Sequence, residues 1–406
     1  MNSTSDRLER ALSWMPAPLV SERARERLLT RSRLGCPNVD LVYVECRVSS
    51  DAADQVDVSF SAATYAARAA LTRQVGQLVE HDSALWAPVH HTLERWCQRD
   101  TAEASALESA CLEYDLAPEH TGLGRPALFF RAAALSHPWD LPRTRRGLQQ
   151  VIAWIAGQRT RALTDQLEAV LGALPQNFHI AHLGFMFSRA DETLRLNVAI
   201  PSSDVERFLR RLAWCGSLPG AHDALLLAER SGWVTLAFGF GTVGMSARLG
   251  IEVFPSGRAG GAMLLAHLLQ QKWCTAAKGE ALGAFLSQSS SGYRAELSHA
   301  KFVIDESRGS EAKLYLVIAP EGPRLGQLAP VAQIRARAPA GQAEDALGTA
   351  QRAPQFWSGA LTCSGRAPRP MARATTPRRD GEESINLTSQ GTRDTPPANP
   401  GAMKPF

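Results

Sequence analysis

Short stretches in which apolar and polar residues alternate occur in pairs along the chain. The clearest pair is 298–305 and 312–318, where Phe302 and Leu316 belong to the apolar set and Lys301 to the polar set. Alternation with a period of two predicts β-strands that bury one face. Five such pairs occur. The ten predicted strands are 40–48, 55–62, 111–116, 127–132, 178–189, 193–200, 233–240, 245–254, 298–305 and 312–318.

The segments between the strand pairs show the apolar spacing of helices. Paired strands with helices between the pairs are typical of an antiparallel sheet covered by helices on one side. An open sheet of ten strands is near the practical limit, and closure removes its edges. We therefore predict an α+β fold with five helix-flanked antiparallel strand pairs, forming a ten-stranded antiparallel barrel surrounded by helices. The main predicted helices are 64–80, 83–99, 145–171, 204–214, 261–274 and 280–286.

Composition divides the chain into three parts. Residues 1–37 show helical patterns interrupted by Pro16 and Pro18, and we predict an N-terminal helical extension there. Residues 38–334 contain all the predicted strands and form the barrel or sheet domain. Residues 335–406 are rich in Pro, Gly, Ser, Thr and Arg, a composition that predicts a disordered tail.

Charge and cysteine usage exclude several classes of protein. The 44 basic and 40 acidic residues give a net charge of +4, which is too nearly balanced to indicate a nucleic-acid partner. No apolar run reaches the roughly 18 residues of a membrane helix, and the N-terminus lacks the apolar core of a signal peptide. The seven cysteines are scattered singly, as is typical of reduced thiols. We therefore predict a cytoplasmic protein that binds neither nucleic acid nor membrane.

Sorting the strand residues by parity separates an apolar face from a polar face. The apolar face is expected beneath the helices, so the polar face looks either into a barrel lumen or onto solvent. Both interpretations stay open at this point. In a lumen, carboxylates from the early strands and cations from the later strands would pair with one another or hold a charged ligand. The cations that suit an anionic ligand with several oxygens are Arg195, Arg248, Lys301 and Lys313.

Signals for a metal site are weak. His179 and His182 are three residues apart in a predicted strand, so we expect them on opposite faces. No acidic cluster of the DDxxD type is present. The sequence therefore requires no cofactor and no protein-bound metal, although a Mg²⁺ ion accompanying a phosphate ligand is compatible with it.

The order of the elements and the basic polar face resemble the ABBA, or PT-barrel, aromatic prenyltransferases. The local match is Lys313-x-Tyr315, because fungal members carry Lys-x-Tyr on barrel strands; where some family strands have a basic residue two positions earlier, this chain has Glu311. The resemblance covers roughly residues 38–320. It implies a lumen that holds an allylic diphosphate on Lys and Arg, shields the carbocation with tyrosines and orients an aromatic acceptor with a carboxylate.

This resemblance gives each candidate residue a role. The diphosphate would bind Arg195, Arg248, Lys301, Lys313 and Tyr315. The carboxylate that removes a proton from the acceptor, or hydrogen-bonds to it, would be one of Glu45, Asp57, Glu113 and Asp115, with Glu45 ranked first because it lies in mid-strand on the polar face.

Two functions follow as hypotheses. The first is a transferase that moves a prenyl group from an isoprenoid diphosphate to an aromatic or peptide acceptor. The second is a non-catalytic ligand- or peptide-binding accessory protein of a bacterial natural-product pathway. The sequence does not indicate the oligomeric state.

Overall fold

The structure is a computed structural model of the 406-residue chain. Predicted regions beyond residue 320, including the tail 335–406, lie outside the described residues. The described residues are 4–35, 38–51, 55–98, 102–116, 126–132, 135, 140–156, 160–187, 194–216, 218–229, 232–241, 244–255, 257–287, 293–305 and 309–320.

Ten antiparallel strands close into a barrel in which each strand pairs with its neighbours in sequence and β1 pairs with β10. This confirms the predicted fold class. The alternation of the sequence explains the strands, because every second residue faces the helices. The strands are β1 (Leu41–Arg47), β2 (Val56–Ala62), β3 (Ser109–Tyr114), β4 (Ala127–Arg131), β5 (His179–Met186), β6 (Leu194–Pro201), β7 (Trp233–Gly241), β8 (Gly244–Val253), β9 (Tyr293–Ile304) and β10 (Glu311–Pro320).

Helices lie between the strand pairs and around the barrel. They are α1 (Thr4–Trp14), α2 (Glu22–Gly35), α3 (Tyr65–His81), α4 (Ser83–Cys97), α5 (Ala102–Ala106), α6 (Leu141–Ala156), α7 (Thr160–Ala173), α8 (Val205–Arg211), α9 (Leu218–Glu229), α10 (Gly257–Gln270) and α11 (Ala276–Ser287). None of these described helices is both long and apolar enough to cross a membrane.

The helical layer differs from the prediction in several details: the short helix α5 was not predicted, and two larger differences have a physical reason. The segment 145–171, predicted as one helix, consists of parts of α6 and α7. The prediction missed the division because the apolar period of the sequence continues from one helix into the next. Helix α9 was not predicted, because its sequence LPGAHDALLLAE is apolar around most of its circumference and lacks a clear amphipathic period.

The outward strand residues form the core between barrel and helices. Val44, Phe60, Leu196, Ile251 and Leu314 are each at most 1% exposed. Burying such side chains stabilises the fold by about 1.5–3 kcal/mol each. The polar face of the sheet therefore looks into the barrel, and the alternative of an open, solvated sheet face is wrong.

The N-terminal helices share this core. Leu8 and Leu12 of α1 and Leu28 of α2 are buried in the same apolar cluster as the strands. Arg7 of α1 donates hydrogen bonds to the backbone oxygen of Val39, at 2.6 Å, and to that of Asp40. This pairing attaches α1 to the segment that enters β1.

Candidate active site in the barrel lumen

The inward strand residues line the interior of the barrel, and several of them are only partly buried. Outward residues of the same strands are almost fully buried, whereas Tyr43, Arg47, Glu113, Arg195 and His299 on the inward face keep partial exposure. Solvent therefore reaches the interior of the barrel between these side chains.

Three cations stand side by side in the lumen. Lys301 of β9 is the register partner of Lys313 of β10, which is in turn the partner of Arg47 of β1. Adjacent like charges repel unless counterions separate them. We call Arg47, Lys313 and Lys301 the cation row. Arg47 was not predicted as a site residue, although its parity placed it on the polar face.

Lys313 is held by Glu45. Its ammonium lies 2.5 Å from Glu45 Oε1, and both side chains are nearly buried. Burial alone would raise the pKa of Glu45, but Lys313 and a hydrogen bond with Tyr315 outweigh it and keep that pKa well below its usual range. Burial would lower the pKa of Lys313, and Glu45 and Asp57 raise it instead. The pair is therefore fully ionised at neutral pH.

Asp57 lies directly opposite Glu45 in the β1–β2 register. Its Oδ1 accepts a hydrogen bond from the backbone of Leu116 at 2.9 Å, and Arg47 lies 3.6 Å from Oδ2. Burial and the adjacent charge of Glu45 raise the pKa of Asp57 well above its usual range. Two adjacent buried carboxylates disfavour each other's charge, so of this pair Asp57 takes up a proton more readily than Glu45 as the pH falls.

Lys301 is held by Glu252 of β8. Its Nζ lies 3.0 Å from Glu252 Oε1, and the amide of Asn197 donates to the same oxygen at 3.0 Å. Burial lowers the pKa of Lys301, with Glu252 opposing the shift. The alternation places Glu252 and Asn197 on the polar face, but only the β8–β9 register shows which lysine Glu252 meets.

The carboxyl group of Glu113 on β3 has a pKa near neutral pH. Burial, then the charges of Glu45 and Asp115, raise its pKa to about 7, while Lys301 and Arg195 oppose the increase. These groups come from β1, β6, β9 and the end of β3, so barrel closure brings them within electrostatic reach of one another. A carboxyl group with this pKa can exchange a proton at neutral pH.

The two predicted arginines occupy different surroundings. The Arg195 guanidinium lies 6.0 Å from the centre of the Phe129 ring and has no salt-bridge partner among the described residues. Arg248 contacts Glu311 at 3.2 Å and Asp305 at 4.0 Å, near the β9–β10 connection. Arg195 therefore has a charge available for a ligand, whereas Arg248 is engaged.

Aromatic rings stack along the lumen beside Glu45. The centre of the His299 ring lies 4.2 Å from the centre of the Tyr315 ring, and the two rings are nearly parallel. The centre of the Phe254 ring lies 4.8 Å from that of His299. Burial lowers the pKa of His299 to about 4, so its imidazole is neutral at physiological pH. Further along the inward face, Tyr43 belongs to a small apolar cluster with neighbouring residues of β1 and β10. The lumen thus combines charged and apolar surfaces.

The expectation that His179 and His182 face opposite sides is wrong. A β-bulge between Ile180 and His182 makes His179 pair with Ala199 and His182 with Asn197, so both histidines share the inward face. No group of three or more His, Cys, Asp or Glu side chains is arranged to hold a metal in the part of the chain that is described.

The structure brings some of the predicted site residues into contact and places others farther away. Glu45, Asp57, Lys313 and Tyr315 are immediate neighbours, and Lys301 adjoins Lys313. Glu113 and Arg195 approach them from other parts of the barrel wall. Arg248 lies in the network around Glu311. Sequence reasoning did not nominate Arg47, Glu252, Asn197, His299 and Glu311 as site residues.

No family model and no curated protein sequence matches the chain. Solved structures do match: the apo form of the prenyltransferase PriB has a TM-score of 0.54 at 11% identity and covers 78% of this chain and 96% of its own. AnaPT from Neosartorya fischeri has a TM-score of 0.54 at 13% identity, covering 79% and 94%. NotF in complex with brevianamide F and DMSPP has a TM-score of 0.52 at 11% identity, covering 80% and 96%.

The chain has the PT-barrel fold. The resemblance to the ABBA prenyltransferases is thus confirmed at the level of the fold over nearly the whole length of those structures. PriB is also known in a binary complex with product diphosphate, at a TM-score of 0.52. Within this PT barrel, both lysines of the cation row are already paired with carboxylates.

Proposed function

We propose that this PT barrel transfers a prenyl group from an isoprenoid diphosphate to an aromatic or peptide acceptor. The observation that carries the proposal is the convergence of cations with Glu113, whose pKa of about 7 suits proton transfer at neutral pH. The fold supports it, since one PT barrel was solved with product diphosphate and another with brevianamide F and DMSPP.

The cations would bind the diphosphate. Arg195, Arg248, Lys301 and Lys313 supply charge, and Tyr315 supplies a hydroxyl beside Glu45. As the bond between the allylic carbon and the diphosphate oxygen breaks, negative charge grows on the leaving group, and preorganised cations stabilise it. The allyl cation then lies near neutral aromatic faces such as Tyr315 and Tyr43, which favour positive charge.

Glu113 would complete the reaction. A carbon of the acceptor's aromatic ring forms the new bond to the allyl cation, and the ring then loses a proton to the ionised carboxylate of Glu113. Glu45 and Asp57 are less suited to this step, because Lys313 stabilises the charge of Glu45, and Arg47 and the backbone N–H of Leu116 hold the carboxyl of Asp57. The scheme requires no cofactor, and a Mg²⁺ ion bound with the diphosphate is compatible with it.

Ligand protection tests the donor. At a concentration of dimethylallyl diphosphate 100 times Kd, the free energy of unfolding should rise by about 2.7 kcal/mol, measured as an increase in Tm. Arg195→Met should raise Kd about 10- to 100-fold, since it removes a charged hydrogen-bond donor that forms no salt bridge with a described carboxylate. Arg210→Met, which breaks a surface ion pair on α8, is the control and should bind like the parent protein.

The absence of protection by both dimethylallyl and geranyl diphosphate would contradict the donor assignment. One observation favours the second function, ligand binding without chemistry: both lysines of the cation row are neutralised by carboxylates. Incubating the protein with a diphosphate and an indole acceptor separates the two. A prenylated product identified by mass spectrometry supports transfer, whereas protection without product supports a binding protein.

A further inference from the structure

Glu311, the first residue of β10, lies among three cations. Its carboxylate is 3.2 Å from Arg248, 3.8 Å from Lys313 and 3.9 Å from Arg47. These cations come from three different strands, β8, β10 and β1. The arrangement is that of an anion-binding site whose anion belongs to the protein itself.

The Glu311 site is accessible from outside. About a quarter of the side-chain surface of Glu311 and of Arg248 is exposed, and slightly more of that of Arg47. Lys313 and Glu45 are nearly buried below it. A ligand oxygen can therefore approach the same guanidinium groups that Glu311 contacts, and the Glu311 side chain can turn towards solvent without opening the core.

Each of the three cations also contacts a second carboxylate. Lys313 is balanced by Glu45, Arg248 also contacts Asp305, and Asp57 lies beside Arg47. Glu311 is the carboxylate common to all three cations. Removing its charge leaves each of these other contacts in place and gives the cluster an additional net positive charge for an incoming anion.

We propose that Glu311 is a built-in competitor: its carboxylate holds Arg47, Arg248 and Lys313 until a diphosphate group displaces it. This inference rests on the proposed function, because it takes the diphosphate of the donor as the displacing anion, and it adds Arg47 to the residues that bind it. The charged terminal oxygens of a diphosphate reach several cations at once, which a single carboxylate does less well. Glu311 therefore lowers the affinity for the free anion and keeps the cations positioned.

Inorganic diphosphate tests this inference without any transfer reaction. Isothermal titration calorimetry on Glu311→Gln should show a Kd about tenfold lower than that of the parent protein, because one like charge at close range is removed. Glu311→Lys should lower Kd further, since it also adds a cation. Arg47→Met should raise Kd by about tenfold or more in both the parent and the Glu311→Gln background.

Glu206→Gln is the matched control, because it also removes one negative charge from an arginine pair, but on the outer helix α8. Its Kd should change less than twofold, which excludes an effect of overall charge. An unchanged Kd in Glu311→Gln, or no diphosphate binding to either protein, would overturn the inference. The prenyl-transfer assay separates the two proposals, since transfer by a protein with an unchanged Kd would leave the proposed function standing and remove only the competitor role.

Discussion

Replacing Lys313 with methionine is expected to lower the free energy of unfolding by about 3–5 kcal/mol at pH 8. The substitution leaves Glu45 buried at 3% exposure without its ammonium partner. Methionine has a similar length, so the loss reports the missing charge rather than a large cavity. Chemical denaturation at several pH values measures it.

The loss of stability in Lys313→Met should decrease as the pH falls. In the parent protein the pKa of Glu45 is lowered on folding, so the pair stabilises the fold above the unfolded pKa of a glutamate and this contribution is lost as the pH falls. Without Lys313, burial raises the pKa of Glu45, and the carboxyl takes up a proton at mildly acidic pH. The difference in stability between Lys313→Met and the parent should therefore shrink from pH 8 towards pH 4.

A second variant identifies the cause. Glu45→Gln combined with Lys313→Met removes both charges and should recover most of the lost stability, since a buried pair replaced by neutral groups is often nearly neutral in energy. Arg210→Met breaks a surface pair and should cost less than about 1 kcal/mol. A loss in Lys313→Met of the same small size would show that Glu45 is solvated or paired elsewhere.

The fold was predictable because the alternation survives in most strands. In β1, β6 and β10 the apolar residues on one parity are the ones found beneath the helices, for example Val44, Leu196 and Leu316. Closure followed from the number of strands, since the edges of β1 and β10 would otherwise be unpaired. Helix boundaries were less predictable, as α6 and α7 show, because the apolar periodicity of the sequence continues from the end of one helix into the next.

The sequence predicted which residue types line the site, but not which of these residues contact one another. Parity places Glu45 and Lys313 on the same face, but they are 268 positions apart in sequence and meet only because β1 pairs with β10. The alternation could not show that these charges neutralise each other. Nor could it show bulges: the extra residue in β5 moves His179 onto the inward face, and a register shift follows Tyr315 in β10.

The second large effect is expected at Glu113, and it rests on the proposed transfer reaction. Glu113→Gln should lower kcat by about 10²- to 10⁴-fold, the usual contribution of a positioned proton acceptor. In the parent protein, the rate should rise with pH until about 7 and then level off, because only the ionised carboxylate accepts the acceptor's proton. The variant should lose this pH dependence. Initial rates of product formation between pH 5.5 and 9 measure both effects.

The pH dependence of folding stability provides an independent test of the raised pKa of Glu113. Because folding raises the pKa of Glu113 from 4.5 to about 7, its contribution to stability is complete below pH 4.5 and is lost as the pH rises through 7. Glu113→Gln carries no such titration, and solvent in the lumen reduces the full effect of the shift. The variant should therefore be about 1–2 kcal/mol more stable than the parent at pH 8.

Asp115→Asn is the matched control for Glu113, because the charge of Asp115 is one cause of the raised pKa. Removing that charge should move the rising limb of the pH–rate profile to lower pH and leave the rate on the plateau nearly unchanged. A shift of the limb in Asp115→Asn, together with its loss in Glu113→Gln, assigns the titrating group to Glu113. A parent-like plateau rate in Glu113→Gln would instead show that the acceptor's proton leaves by a route that does not use Glu113.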